Sequence, residues 1–297
     1  MTNTEVIKIK EKQPEGKLEK ILNMFNICSK PTVSVINLQG IVGSRSKMQS
    51  GISLQSVNNS IETAFKPKNL SAVCLIINSP GGSPVQSELI AQRIRMLAKE
   101  RKVCVYSFIE DVGASGGYWL ACAGDYIYSS LNSIIGSIGV ISSGFGLKSA
   151  IEKLGIQRRI YTSGDSKSVL DPFQDEDPKD IEMIKGIQND IHKVFIEYVK
   201  VRRNNRLKGS YDELFDGKFW TGKDALNLGL IDGIDNMYSF IENNFPKSKI
   251  FMTTPKKSWI KEKLGLYFNV PSAINQYASS AIEHFDNKVK HSKYDMF

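Results

Sequence analysis

No apolar run in this chain approaches the roughly 18 residues needed to cross a bilayer, so a membrane-spanning helix is not expected. The opening residues, Met1-Thr2-Asn3-Thr4-Glu5, start no apolar segment of the kind a secretory signal carries. Cysteine is scarce. Cys28, Cys74, Cys104 and Cys122 show no CxxC spacing, and three of them sit inside apolar runs. That excludes a zinc or disulfide framework and reads as reduced, buried thiols of a cytosolic protein. Histidine is scarcer still: His284 and His291 lie in a basic tail, and His192 lies within a long helical pattern. A structural or surface role is expected for His192, so a Ser-His-Asp triad has little support. The middle of the chain also lacks strong charge. Of the net +8, residues 247–297 carry +5 and residues 1–31 carry +2, leaving +1 for residues 32–246. Nucleic-acid binding by the middle is therefore not expected, and any attraction to anionic lipid or acidic partners belongs to the ends.

What remains is an ordinary globular composition over 297 residues, 41% hydrophobic and 24% charged. Three stretches differ in character. Residues 1–31 read as a polar, partly disordered extension with one short helix near Leu18–Phe25. Residues 32–253 alternate strand and helix patterns. Residues 254–297 form a basic helical extension whose stripe includes Ile274, Tyr277, Ile282 and Phe285. Three readings of that stripe stay open: a subunit contact, a helix lying on a membrane, or a helix packed on its own domain.

Within the middle stretch, Val33–Leu38, Ala72–Asn78, Val103–Phe108, Tyr126–Tyr128, Ile138–Ile141 and Gln157–Thr162 read as strands. Ser53–Phe65, Glu88–Lys99, Pro178–Arg203 and Asp224–Leu228 read as helices. Such alternation predicts an α/β fold with mostly parallel strands.

Two turns in this pattern carry chemistry. Ser79-Pro80-Gly81-Gly82 follows one buried strand, and Gly113-Ala114-Ser115-Gly116-Gly117 joins another to a helix. A serine there could attack a carbonyl while the Gly82 and Gly116 amides face the developing oxyanion. It could equally do no more than cap the helix. A serine nucleophile needs a base. Lys167, in the turn Ser163-Gly164-Asp165-Ser166-Lys167, is a candidate, since only a neutral amine accepts a proton; activity should then rise with pH. A solvated loop lysine is the competing reading.

Together these residues resemble the signal peptide peptidase A family of bacterial serine proteases (the SppA and SohB type, peptidase family S49). The resemblance is carried by Asn78–Gly82, Ala114–Tyr118, Gly136-Ser137-Ile138-Gly139-Val140, Ser163–Lys167, Trp220-Thr221-Gly222 with Ala225, and Gly229-Leu230-Ile231-Asp232, in that order over roughly residues 32–253. It implies a Clp protease/crotonase-like core of repeated β-β-α units. It further implies a Ser/Lys dyad of Ser115 and Lys167, with Ser137 orienting the lysine and Gly82 and Gly116 forming the oxyanion hole. Ser137 and Lys167 follow Ser115 by 22 and 52 residues, as in the short members of the family. No metal or organic cofactor is implied. The implied partners are a peptide substrate, a signal-peptide remnant or other unstructured peptide bound as an added strand, and further copies of the chain in a homo-oligomer. In such an assembly Lys167 of one copy can serve Ser115 of the next. Many members carry a membrane anchor; none is read here, and a cytosolic or membrane-peripheral enzyme is expected. The alternatives are a crotonase-type acyl-CoA hydratase or isomerase, which would need cleft acids rather than Ser115, and an inactive scaffold on the same fold.

Overall fold

A computed structural model describes residues 30–43, 51–164 and 166–253. The expected helix at Leu18–Phe25, the striped tail beyond residue 253 and Asp165 lie outside the described residues. Elements run in the order β1 (Thr32–Gln39), α1 (Leu54–Ala64), β2 (Leu70–Ser79), α2 (Pro84–Arg101), β3 (Cys104–Ala114), α3 (Gly116–Ala121), β4 (Tyr126–Ser129) and β5 (Ile134–Gly136). They continue with α4 (Lys148–Lys153), α5 (Pro178–Arg203), α6 (Tyr211–Leu214), β6 (Phe219–Thr221), α7 (Gly222–Asn227), β7 (Gly233–Ile234), α8 (Met237–Asn244) and β8 (Lys249–Thr253).

The sheet runs β6-β5-β3-β2-β1-β8, with β4 between β3 and β7. Every pairing is parallel except β5 with β6. Residues 72–77 of β2 are all apolar, and both faces of the strand are covered. Val73, Leu75 and Ile77 join one core with α1, α2, α3 and the second half of α5. Ala72, Cys74 and Ile76 join another with Phe108 and the Met237, Phe240 and Ile241 side chains of α8. Beyond β1 and β2 the chain makes a short second pairing before each helix. Val42 bridges in parallel to both Ile52 and Gly82, which gives the first two units a β-β-α order.

Caps follow from sequence. Ser53 and Ser56 form a reciprocal capping box on α1, and Ser83 caps α2 ahead of Pro84. Burial pushes the Cys74 thiol up to about 12 and the Cys122 thiol to about 11, which fits inert core cysteines.

The far end of α5 is locked by charge. Arg203, 1% exposed, pairs with Asp232 at 2.7 Å and donates twice to the Gly229 carbonyl. Asp232 also accepts from the Ile127 amide and from Arg206. Burial works against the Arg203 charge, but the Tyr118 and Asp232 oxygens outweigh it and raise its affinity for the proton. The Gly229–Asp232 turn is thus the clamp between α5 and β4.

Two expected strands are absent. Residues 138–141 and 157–162 are irregular, and Ile141 and Tyr161 stand 87% and 92% exposed. Both runs have strand-like composition, but neither finds a neighbouring strand among the described residues. Several short elements were not expected, α4, α6, β5, β6, β7, α8 and β8. β8 extends the sheet beside β1, held by the Thr253 hydroxyl donating to the Val35 carbonyl.

Candidate active site

β3 is long enough to take two neighbours on one side. β4 pairs with its first half at Tyr106–Ile109, and β5 pairs with its end, Ala114 opposite Gly136. On its other side Ser79 of β2 lies opposite Gly113. Four sequence motifs therefore meet at the carboxyl ends of the parallel strands, the usual place for a site in such sheets: 78–82, 114–118, 136–140 and, through β6, 219–222.

Ser115 stands at the centre. It follows β3 directly, has φ +52° and ψ −124°, and makes no capping hydrogen bond to α3. That decides against the capping reading: a non-glycine residue held at positive φ, whose hydroxyl makes no hydrogen bond among the described residues, is strained without a structural return there. Its amide donates to the Gly136 carbonyl at 2.7 Å.

The glycines are explained by contact. A Cβ on Gly81 would lie 2.6 Å from the Gly116 nitrogen and 2.8 Å from the Ser115 Cβ. One on Gly117 would lie 2.2 Å from the Ser79 carbonyl oxygen. The two corners are pressed backbone to backbone, and the position of a Gly116 Cβ is 3.3 Å from the Gly82 nitrogen. The Val42–Gly82 bridge uses the Gly81 carbonyl and the Ser83 amide, so the Gly82 amide faces away from that pairing. The Gly82 and Gly116 amides consequently flank the Ser115 corner. Val42 was not anticipated as part of this corner; the glycines around it, Gly40 and Gly43, both at positive φ, were the available signal.

Ser137 lies just past β5, also at positive φ (+50°), its amide donating to the Lys218 carbonyl at 2.6 Å. Trp220 packs on the preceding Gly136, where a Cβ would meet the ring at 2.6 Å. Tyr118, fully buried, donates its hydroxyl to the Leu230 carbonyl at 2.7 Å; burial pushes its phenol well above the usual tyrosine range, so it stays a donor.

The structure brings Ser115, Ser137, Gly82 and Gly116 together. It does not bring Lys167 to them. Lys167 is exposed in an irregular loop, and among the described residues its ammonium makes no hydrogen bond or ion pair. Lys218 is nearer in the fold, but hydrogen bonding to Asp216 at 2.7 Å raises its affinity for the proton and keeps it charged. Among the described residues no group of three or more His, Cys, Asp or Glu is placed to hold a metal ion.

Comparison with known proteins meets this geometry. The model of peptidase family S49 matches residues 97–244, which include Ser115, Ser137 and Lys167. Over this stretch the chain is similar to peptidase family S49. It is 31% identical over 176 residues to a putative protease of Methanocaldococcus jannaschii, covering 59% of this chain and 56% of that one. It is 32% identical over 170 residues to a putative signal peptide peptidase SppA of Enterococcus faecium, covering 56% of this chain and 48% of that one. It is also 46% identical over 234 residues to a Brucella melitensis protein named Na(+)/H(+) antiporter NhaA, covering 78% of this chain. This chain spans only about a third of that protein's length, 32%. Among the described residues no helix is long and apolar enough to cross a membrane.

Proposed function

We propose that the chain is a serine endopeptidase acting on unstructured peptides, with Ser115 as nucleophile. The observation that carries this is the uncapped, positive-φ Ser115 flanked by the Gly82 and Gly116 amides. Ser115 Oγ attacks the peptide carbonyl carbon, and its proton passes to the neutral Lys167 amine. The two amides donate to the oxyanion as it forms. Collapse expels the amine leaving group, which takes the proton back from Lys167. A water molecule then attacks the acyl-serine in the same way, releasing the acid and restoring the hydroxyl. Ser137 orients the lysine.

In this reading Lys167 comes from a neighbouring copy. Two features support it. Within one chain the amine lies in solvent. The segment that carries it is also poorly covered: α4 buries none of its residues, and Phe145, Leu154 and Tyr161 stand exposed around it. An apolar surface of that kind calls for a partner, and a second copy would cover it while delivering the amine.

The test is complementation. Ser115→Ala and Lys167→Ala, each inactive alone, should regain measurable peptide cleavage when mixed and co-assembled. No recovery, with each variant still assembling, would place the lysine within its own chain; cleavage surviving in Lys167→Ala would reject the dyad.

Gly82→Ala tests the oxyanion donors. At φ +138° its Cβ would stand 2.1 Å from the Val42 carbonyl oxygen, so the loop must move and the amide with it. The expected loss in kcat is about 10²–10³-fold, the usual effect of removing one such donor. Steady-state kinetics beside a melting curve would show whether the loss exceeds that due to unfolding.

A further inference from the structure

We propose that His192 is a positioning residue, a tether from α5 that holds the Ser137 turn in its working conformation. Its effect on rate rests on the protease reading above; its geometry does not. His192 Nε2 lies 2.9 Å from the Ile138 carbonyl oxygen, one residue beyond Ser137. A carbonyl can only accept, so this nitrogen carries the proton and donates.

The turn needs holding. Ser137 sits at φ +50°, a conformation that persists in a non-glycine residue only where its surroundings impose it. Three other contacts impose it: the Ser137 amide on the Lys218 carbonyl, the Gly139 amide on the Ser137 carbonyl at 3.0 Å, and the fully buried Ile138 side chain. His192 gives the one side-chain hydrogen bond to residues 137–139 among the described residues. Downstream the chain becomes irregular and exposed, with nothing from β5 to steady it.

The tether hangs from a fixed frame. Just beyond His192, the Phe195, Ile196 and Val199 side chains of α5 are buried, and Arg203 anchors its end on Asp232. Upstream of His192 the helix buries no residue, so this histidine marks the edge of the anchored half. Loosening the turn would shift two groups at once: the Ser137 hydroxyl, and the Gly136 carbonyl that accepts from the Ser115 amide. Both belong to the reacting end of the site, so the loss should fall on kcat and leave KM unchanged.

The experiment compares His192→Leu, which removes the donor, with His192→Gln, whose amide nitrogen can replace Nε2–H. The Leu variant should lose roughly ten- to a hundredfold in kcat at unchanged KM. The Gln variant should recover most of it. Hydrogen exchange of the 134–141 stretch, measured on the same proteins, should quicken in the Leu variant and not in the Gln variant. Should Leu unfold the chain, His192→Asn, a donor too short to reach, takes its place and must show the same pattern. Unchanged exchange in the variant lacking the donor overturns the tether, as does a loss confined to KM or shared equally by Gln. An inactive wild type whose exchange still responds as described would sink the protease reading and leave the tether standing.

Discussion

Ser115→Ala should lower kcat/KM for an unstructured peptide by about 10⁴-fold or more, and abolish labelling by a serine-reactive fluorophosphonate. The fold should be unaffected. Alanine keeps the Cβ that packs near Gly81, and no capping bond is lost, because the serine makes none. Any loss of activity is therefore chemical. A melting temperature within a degree or two of wild type would confirm that the corner is intact. The competing acyl-CoA reading predicts the reverse, since it needs the backbone donors but not the hydroxyl. Turnover of a CoA thioester by Ser115→Ala would decide for that reading. Persistent peptide cleavage by the variant would remove Ser115 from the mechanism altogether.

Asp232→Ala should be strongly destabilising, by about 3–5 kcal/mol. Removing the carboxylate leaves the Arg203 guanidinium buried with only the Gly229 carbonyl to accept from it, and strips the Ile127 amide of its acceptor. Arg206 also loses its ionic partner. At roughly 2–4 °C per kcal/mol for a domain of this size, the melting temperature should fall by about 10 °C. The doubly substituted Arg203→Met, Asp232→Ala protein should be less damaged than the sum of the two single changes, because no charge is then stranded. A thermal melt in which Asp232→Ala matches wild type would show that the clamp contributes nothing.

The corner around Ser115 was legible because its requirements are local. Glycines at 81, 82 and 117 follow from backbone contact and Gly116 from the Ser87 hydroxyl beside it, and the strands on either side are apolar runs that stop at those turns. α5 was equally plain, its bounds set by Pro178 and a continuous apolar stripe. The stretch from Ile138 to Thr162 was not. Its β-branched residues read as strands, yet a strand exists only where another lies beside it, and composition does not say whether one does. β8 failed in the opposite sense: five residues with a charged first member gave too short a pattern, although β1 offered a free edge. Lys167 was picked out first by its Ser/Gly turn and then by resemblance; neither says where its amine lies, since what a lysine does depends on neighbours that a one-dimensional pattern omits. For His192 a structural or surface role was expected, and its hydrogen bond to the Ile138 carbonyl ends next to Ser137.

Because Gly81, Gly82 and Gly117 each make their closest approach to a main-chain atom, the spacing between the Ser115 corner and its two amides is set chiefly by the backbone. Nothing there has to be frozen when a substrate arrives, so that half of the pocket pays no ordering entropy on binding. Warming should loosen the rim long before it loosens this centre, which would stay in register until β2 and β3 come apart.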